Sequence, residues 1–406
     1  MADRGAPRRG ALGFILVTVA LDATGLGILI PVTPQLIREL GHGNLQQAAV
    51  FGGWLTALFA AMQFGAGPVL GSLSDHFGRR PVLLASLSAF GLAYVLMGVA
   101  PSLSWLLAAQ CLTGLFSATS GTAYAYVTDV TAPEERPRRF GMIGASFGLG
   151  LVIGPVLGGT LIAYGTRVPF FVSAMLSLSN VLFGLFVLPE SHTREHRRPF
   201  HWGHAHPFGA FAELRRQLGS ARLILGVLII QVVLQTLPAV WPYYTMQRLQ
   251  WTPRTVGYSL GVYGLSNILV QSLLTGRLSR RLGSLRAAEV GFLLVAAGYC
   301  GYAFGSTTAI AFACIPLTVM GFVTQPSLVS LMSAQIGPRT QGALQGMVAS
   351  AASVAAMATP LVMTHLFSLF ARPAAAWYFP GAPFLLAAAL AVAGSQLVLR
   401  GARAAT

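Results

Sequence analysis

The feature that most constrains this chain is a series of twelve apolar runs, each long enough to cross a lipid bilayer. A transmembrane α-helix needs about 20 predominantly apolar residues. The runs lie at approximately 12–33, 51–72, 82–100, 104–127, 140–163, 169–189, 224–244, 257–276, 288–305, 308–331, 343–366 and 379–399. The pattern predicts an all-α membrane protein with twelve transmembrane helices.

The composition agrees with a lipid environment and excludes most soluble classes. Hydrophobic residues make up 54% of the chain and charged residues only 9%, whereas about a quarter of the residues of a soluble domain are charged. The net charge of +15 does not indicate a nucleic-acid partner, because the basic residues are dispersed rather than gathered on one face with aromatics. Cys111, Cys300 and Cys314 lie inside apolar runs without metal-ligand spacing, so we expect reduced thiols, no metal and no cofactor.

The distribution of arginine predicts the orientation. The chain has 26 arginines and no lysine, and cytoplasmic loops are enriched in basic residues. With a cytoplasmic N-terminus, the external loops carry five arginines and the cytoplasmic segments carry the other 21. The external five are Arg38, Arg167, Arg248, Arg254 and Arg372. We therefore expect both termini to be cytoplasmic in an inner (cell) membrane protein.

An internal repeat divides the chain into two pseudo-symmetric halves. GSLSDHFGRR from Gly71 and GRLSRRLGSLR from Gly276 are similar at an offset of 205 residues, and the same offset relates Pro155 to Pro360. The longest polar segment lies between the sixth and seventh runs. The predicted organisation is a six-helix half at 1–189, a cytoplasmic linker at 190–223 and a second six-helix half at 224–406. Two such repeats around a central cavity are typical of secondary transporters.

Asp22 is the candidate proton-coupling residue. Of the eleven acidic residues, it alone lies near the middle of a predicted span. An ionised carboxylate at that depth is costly and usually faces a cavity or a partner, and desolvation favours its neutral form. The alternative is a carboxyl that stays protonated or bonds a helix-packing hydroxyl such as Thr24.

The segment between the second and third spans is a candidate cytoplasmic gate. It combines an acid, a glycine turn and two arginines, namely Gly71, Asp75, Gly78, Arg79 and Arg80. We expect Asp75 to engage a helix N-terminus or an arginine, and both arginines to anchor the loop at the headgroups. The alternative is a basic loop that only sets topology.

The fifth span carries a glycine-proline motif. Gly150, Gly154 and Gly158 are four residues apart and share a helix face beside Pro155 and Gly159. Small residues at this spacing let helices approach closely. A dinucleotide-binding loop is excluded because the glycine spacing differs and no strand precedes it.

These motifs together resemble those of the major facilitator superfamily drug exporters, and most closely those of the tetracycline–proton antiporters. The similar strings, in the family's order, are LDATGLGILIPVTPQLIREL, GSLSDHFGRRPVLLASL, RRFGMIGASFGLGLVIGPVLGG, LPESH and QGALQG. The resemblance implies the major facilitator fold, alternating access and drug export against a proton flow. It also implies that Asp22 is the essential first-span acid, that 71–80 is the gating loop and that the fifth-span motif is the antiporter motif.

Five positions depart from the family's pattern. His76 and Gln110 stand where the family usually has arginine, Asn267 where it has histidine, and Ala93 and Val295 where it has acids. The resemblance therefore supports the export fold more directly than the substrate.

Uncharged amides within the spans are the substrate-cavity candidates. Such groups hydrogen-bond a ligand in a central cavity or a neighbouring helix. They are Gln63, Gln110, Gln231, Gln235, Asn267, Gln271 and Gln325. The histidines of the linker, His192, His196, His201, His204 and His206, are irregularly spaced and indicate a solvated loop rather than a metal site.

The leading hypothesis is a monomeric, proton-coupled antiporter that exports an amphipathic small molecule, with tetracycline-type drugs or several drugs as substrates. One alternative is a metabolite transporter of the same fold, and another is a receptor-like relative without transport. An intramembrane enzyme would need a nucleophile and base or metal ligands at depth, which the spans do not offer.

Overall fold

The computed structural model describes residues 9–192, 221–336, 340–373, 375 and 377–403, and those residues contain α-helices but no strand. Helices dominate because a backbone in lipid must satisfy its own hydrogen bonds within each segment. The first eight helices are α1 (Arg9–Leu29), α2 (Thr33–Gly41), α3 (Leu45–Phe77), α4 (Arg79–Val99), α5 (Leu103–Leu115), α6 (Thr119–Val130), α7 (Arg136–Leu161) and α8 (Val168–Val187).

Seven further helices follow the part of the linker that lies outside the described residues. They are α9 (Ala221–Arg248), α10 (Pro253–Leu269), α11 (Thr275–Phe304), α12 (Thr308–Met320), α13 (Thr324–Ser333), α14 (Gln341–Phe370) and α15 (Ala382–Arg403). A π-helical turn at Val270–Leu274 joins α10 to α11, and a 3-10 turn at Gly321–Val323 joins α12 to α13.

These helices make the twelve predicted spans. Ten helical segments of the described chain are long and apolar enough to cross a membrane. One of them, Pro253–Phe304, has 52 residues, or about 78 Å at 1.5 Å per residue, against a hydrocarbon core of about 30 Å. It is broken at Gly283 (φ 74°, ψ 159°) and therefore makes two spans. The remaining span consists of α5 and α6, which a break at 116–118 separates.

The chain divides into two compact units. Unit 1 comprises Met1–Gly41, Leu58–Ala205 and Pro253–Gly264, and unit 2 comprises His42–Ala57, His206–Thr252 and Leu265–Thr406. Each unit therefore includes the beginning of one span from the other half of the sequence. The two exchanged segments correspond to each other at the offset of 205 residues.

Unit 1 is organised around α1, which packs mainly against α7 and α8. Phe14, Ile15 and Val19 of α1 belong to its buried core, together with Leu83 and Leu87 of α4. In unit 2, the buried Trp241 lies against an aromatic group made of Tyr244, Trp251, Tyr302 and Phe384. Asp22 and residues 71–80 belong to unit 1.

Candidate functional site

Asp22 lies inside α1 and is buried, with 9% of its surface exposed. None of the four ion pairs among the described residues includes it. The Thr24 hydroxyl donates its proton to the Ala20 carbonyl at 2.7 Å and therefore does not donate to Asp22. The carboxyl therefore lies in an apolar interior without a countercharge from this part of the chain.

Tyr94 of α4 is a buried neighbour that the sequence did not single out. A Cβ atom on Gly25, one helical turn after Asp22, would lie 3.4 Å from the Tyr94 ring and 3.7 Å from its hydroxyl oxygen. That hydroxyl is buried and has no hydrogen-bond partner among the described residues. In the part of the chain that the structure describes, the Tyr94 hydroxyl thus has no partner, and it lies beside the helical turn that follows Asp22. The available sequence signal was the polar side chain in the middle of an apolar span.

The glycines of the fifth span hold α7 against the helix that carries Asp22. A Cβ atom on Gly154 would lie 2.5 Å from the Thr24 carbonyl oxygen and 2.8 Å from Gly27. A Cβ on Gly150 would collide with the Ala20 carbonyl, and one on Gly158 with the Ile28 carbonyl. Only residues without a side chain permit this approach, as small-residue spacing predicts.

The adjacent face of α7 packs equally closely on α10. A Cβ on Gly159 would lie 2.6 Å from the Pro253 carbonyl oxygen, and one on Gly257 would collide with the Pro155 carbonyl. Gly261 meets Val156 of α7 in the same way, at 2.7 Å. The α10 glycines were missed in the sequence because their spacing resembles that of any glycine-rich span.

The sequence predicted a loop from Gly71 to Arg80, but only Gly78 lies outside a helix, because α3 ends at Phe77 and α4 begins at Arg79. This segment contains an ion pair and a sharp turn. Arg79 Nη1 lies 2.5 Å from Asp75 Oδ1, so Asp75 engages an arginine of its own loop. Gly78 has φ 110° and ψ 163°, a conformation that is essentially restricted to glycine. Gly71 lies within α3, and a Cβ there would meet no atom within 4 Å. The loop is therefore shaped by Gly78 rather than by Gly71.

Two acids outside this segment also bond to Arg79 and Arg80. Arg79 Nε donates to Asp129 Oδ2 at 3.1 Å. The backbone N–H groups of Arg79 and Arg80 donate to Glu190 Oε1 and Oε2 at 2.9 and 3.3 Å, so that Glu190 caps the N-terminus of α4. An anion at a helix N-terminus is stabilised by the helix dipole. We define Asp75, Arg79, Asp129 and Glu190 as the Arg79 network.

The expectation that Arg79 anchors the loop at the headgroups is wrong. Its side chain is 11% exposed and paired with two carboxylates, because a buried guanidinium needs neutralising partners. Arg80 Nη2 donates to the Leu185 carbonyl at 2.6 Å, so its side chain also bonds to the protein. Of the two acids outside the segment, only Glu190 had a sequence signal, because it belongs to the LPESH string. Nothing local in the sequence pointed to Asp129.

The candidate amides fall in both units and differ in their partners. In unit 1, Gln63 donates to the Ser117 hydroxyl at 2.6 Å, and Gln110 accepts from Thr113 at 3.2 Å. In unit 2, Gln271 accepts from Thr275 at 3.4 Å, whereas the side-chain oxygen of Asn267 is buried without a partner among the described residues. Gln231 is buried, and Gln235 and Gln325 are half-buried. Substrate contact by these amides stays a prediction.

His192 is the one linker histidine within the described residues, and its Nδ1 lies 3.6 Å from Asp129 Oδ2. His196, His201, His204 and His206 lie outside the described residues. In the ranges that the structure describes, no group of three or more His, Cys, Asp or Glu side chains is arranged to hold a metal ion.

Two repeated units, an intramembrane acid and closely packed glycines are the features with which a family assignment must agree. The model of the Major Facilitator Superfamily matches residues 15–360. The chain belongs to the Major Facilitator Superfamily. It is therefore a multi-pass membrane transporter that acts on small molecules, and the resemblance inferred from the motifs is confirmed.

Similar curated proteins include bacterial tetracycline resistance proteins. The chain is 38% identical to the class C protein of Escherichia coli over 392 residues, which cover 97% of each chain. It is 36% identical to the class G protein of Vibrio anguillarum, over 89% of this chain and 91% of that protein. The class B protein of Escherichia coli is 32% identical, over 87% of both chains.

Solved structures support the superfamily fold at lower sequence identity. The human organic anion transporter matches with a TM-score of 0.70 and 22% identity, over 97% of this chain and 100% of that one. A nucleoside transporter matches with a TM-score of 0.80 and 12% identity, over 96% and 99%. At these identities the comparison shows the major facilitator fold and carries no information about the substrate.

Proposed function

We propose that this transporter exports an amphipathic drug-like molecule in exchange for protons, with tetracyclines as the leading candidate substrates. The names of the relatives that align with nearly the whole chain support the drug class. The observation that carries the proposal is Asp22, a buried carboxyl without a countercharge among the described residues.

Asp22 serves the proton and the substrate in turn. A buried carboxylate must be neutralised either by a proton or by a nearby positive charge, because desolvation of an isolated anion is costly. A cationic or zwitterionic drug supplies that charge when it binds. Protonation from outside then releases the drug, and loss of the proton to the cytoplasm restores the affinity. One carboxyl therefore couples the two fluxes without a second acid in the span.

The glycine contacts couple Asp22 to the motion of the helices. With Gly150, Gly154 and Gly158 against its backbone, α1 cannot slide freely past α7 without a steric clash. The two helices move as one body, and packed helices respond to a change at one site by discrete shifts rather than by gradual deformation. A change in the protonation of Asp22 is thereby transmitted to the antiporter motif, including Pro155 and Gly159.

The Arg79 network is proposed to stabilise one state of the cytoplasmic gate, which consists of Gly71, Asp75, Gly78, Arg79 and Arg80. The network joins the loop to α6 through Asp129 and to the end of α8 through Glu190. Asp75, whose side chain is 44% exposed, is the most accessible member and the one that can exchange partners. The network thus holds the shape of the loop, and Asp75 regulates it.

The orientation and the remaining assignments belong to the same proposal. The arginine distribution supports a cytoplasmic location of both termini and of the 190–223 linker. Asn267 is the amide best suited to a substrate contact, because its buried oxygen has no partner in the described part of the chain. The transporter is proposed to act as a monomer.

Expression in a bacterium that lacks its own efflux pumps tests the proposal. We expect lowered susceptibility to tetracycline, and drug accumulation in everted vesicles that collapses when the pH gradient is dissipated. The matched control is the Asp22→Asn variant at equal membrane abundance, which should confer neither. Unchanged susceptibility across a drug panel, with no gradient-driven drug uptake in vesicles, would contradict drug export and favour the metabolite-transport alternative.

A further inference from the structure

The turn between the eighth and ninth spans is a strongly basic surface. It carries Arg277, Arg280, Arg281 and Arg286, and all four are exposed. Arg280 and Arg281 follow Arg277 by three and four residues in one helix, so both lie on the side of the helix that carries Arg277. We refer to residues 273–286 as the arginine turn.

The arginines of this turn have few internal partners. Arg277 Nη1 donates to the Leu273 carbonyl at 2.8 Å, and Arg280 Nε donates to the Gly276 carbonyl at 3.1 Å. A guanidinium group has five N–H donors, so these bonds leave most of the donors available. None of the ion pairs among the described residues includes an arginine of the turn.

The acids that neutralise the corresponding loop of unit 1 have no counterparts here. At the offset of 205 residues, Asp75, Asp129 and Glu190 correspond to Arg280, Ala334 and Ser395. Glu289 is the one acidic residue of unit 2 in the part of the chain that the structure describes, and it forms no ion pair there. The positive charge of the turn must be balanced by something other than these residues.

Apolar side chains accompany the arginines. Leu273 is 50% exposed and Leu282 is 36% exposed; Leu273 lies near the end of the predicted eighth span, and Leu282 lies between the predicted eighth and ninth spans. A free phosphate would complement the guanidinium groups alone. A phospholipid complements both chemistries, since it offers a phosphate in the headgroup and acyl chains beside it.

We propose that the arginine turn is a binding site for an anionic phospholipid. Arginine contacts phosphate with paired N–H donors in a fixed planar geometry, and clusters of basic residues next to a span attract anionic lipids. Arg277, Arg280 and Arg281 contact the headgroup phosphate, Arg286 adds charge from the start of the ninth span, and the two leucines contact the acyl chains.

Native mass spectrometry of the purified full chain tests the site. The probes are phosphatidylglycerol and phosphatidylcholine of equal chain length, and we expect preferential retention of phosphatidylglycerol. Replacing Arg277, Arg280 and Arg281 together by Gln should weaken its binding about 100-fold, because each arginine near the lipid surface contributes roughly fivefold. The matched control, Arg38→Gln with Arg248→Gln and Arg372→Gln, removes the same charge from exposed arginines elsewhere and should bind as the wild type does.

Three results would overturn the proposal. An equal loss in the control variant would show a general charge effect, and unchanged binding in the arginine-turn variant would place the lipid elsewhere. Displacement of the lipid by millimolar inorganic phosphate would show a site for small anions. If the triple variant does not fold, photocrosslinking of wild-type protein with a headgroup-labelled phosphatidylglycerol replaces it. Crosslinks must then map to 273–286, and labelling only at other peptides would refute the site. None of these measurements depends on transport.

Discussion

Residues 71–80 of unit 1 and the arginine turn of unit 2 are both interrupted by one glycine, but they differ in how the charge of their arginines is balanced. Gly78 (φ 110°, ψ 163°) and Gly283 (φ 74°, ψ 159°) are 205 residues apart and share a conformation reserved for glycine. Around Gly78, one arginine is buried between two carboxylates. Around Gly283, four arginines are exposed, and Ser284 bonds the Ser330 hydroxyl at 3.1 Å.

The same contrast extends into the spans. Asp22 corresponds to Val227 at this offset, and Tyr94 corresponds to Tyr299. The Tyr299 hydroxyl donates to the Val233 carbonyl at 2.7 Å, whereas the Tyr94 hydroxyl has no partner among the described residues. The repeat has thus kept its turns, whereas the four ion pairs among the described residues and the intramembrane acid Asp22 all lie in unit 1.

The largest expected effect is on drug accumulation, and it should differ between variants of Asp22 in unit 1 and Glu289 in unit 2. In proteoliposomes, Asp22→Asn should reduce pH-gradient-driven drug accumulation to background, because the amide cannot release a proton. Glu289→Gln should retain that accumulation. The reverse result would move the coupling group to unit 2 and remove the functional contrast between the units.

The second prediction compares the polar bonds of the two turns. Arg79→Gln should lower the free energy of unfolding by about 2–3 kcal/mol, less than for a fully buried pair because Asp75 is half exposed. Ser284→Ala should change it by less than about 0.5 kcal/mol. Thermal unfolding in detergent at fixed pH measures both. Equal, small shifts would show that the Arg79 network does not stabilise unit 1.

The third prediction tests whether the two backbone breaks are equivalent. Gly78→Ala and Gly283→Ala should each cost about 1–2 kcal/mol of unfolding free energy, since alanine is strained at these angles. Gly71→Ala is the control, because it lies inside a helix with open space around it. It should be neutral or slightly stabilising. A loss at only one of the two turns would refute the equivalence.

The smallest expected effect has opposite signs in the two units. Tyr299→Phe removes a buried hydrogen bond and should destabilise the protein by about 1 kcal/mol. Tyr94→Phe removes a buried hydroxyl without a partner and should stabilise it by about as much. The unfolding midpoints of the two variants, measured side by side, test these opposite changes in stability. Destabilisation by both would mean that the Tyr94 hydroxyl is also bonded in the folded protein.

Much of the fold was predictable, because the constraint of a bilayer acts locally on the sequence. Each span needs about 20 apolar residues, and the predicted runs correspond to the observed helices. The fourth run, predicted as continuous, is broken at 116–118, and the short helix Thr33–Gly41 lies mostly outside the predicted runs. Hydropathy reports the environment of a segment rather than its backbone geometry, so neither detail could be read from it.

The sequence by itself determined where Asp22, the antiporter glycines and the repeated turns lie, since each is defined by residue type and local spacing. The tertiary structure decided the partners. Arg79 bonds Asp129, 50 residues away, and its backbone bonds Glu190, 111 residues away. The Tyr94 ring lies beside Gly25, one helical turn after Asp22, although Tyr94 belongs to a different span. Such pairings depend on which helices become neighbours, and helical periodicity describes only the face of a single helix.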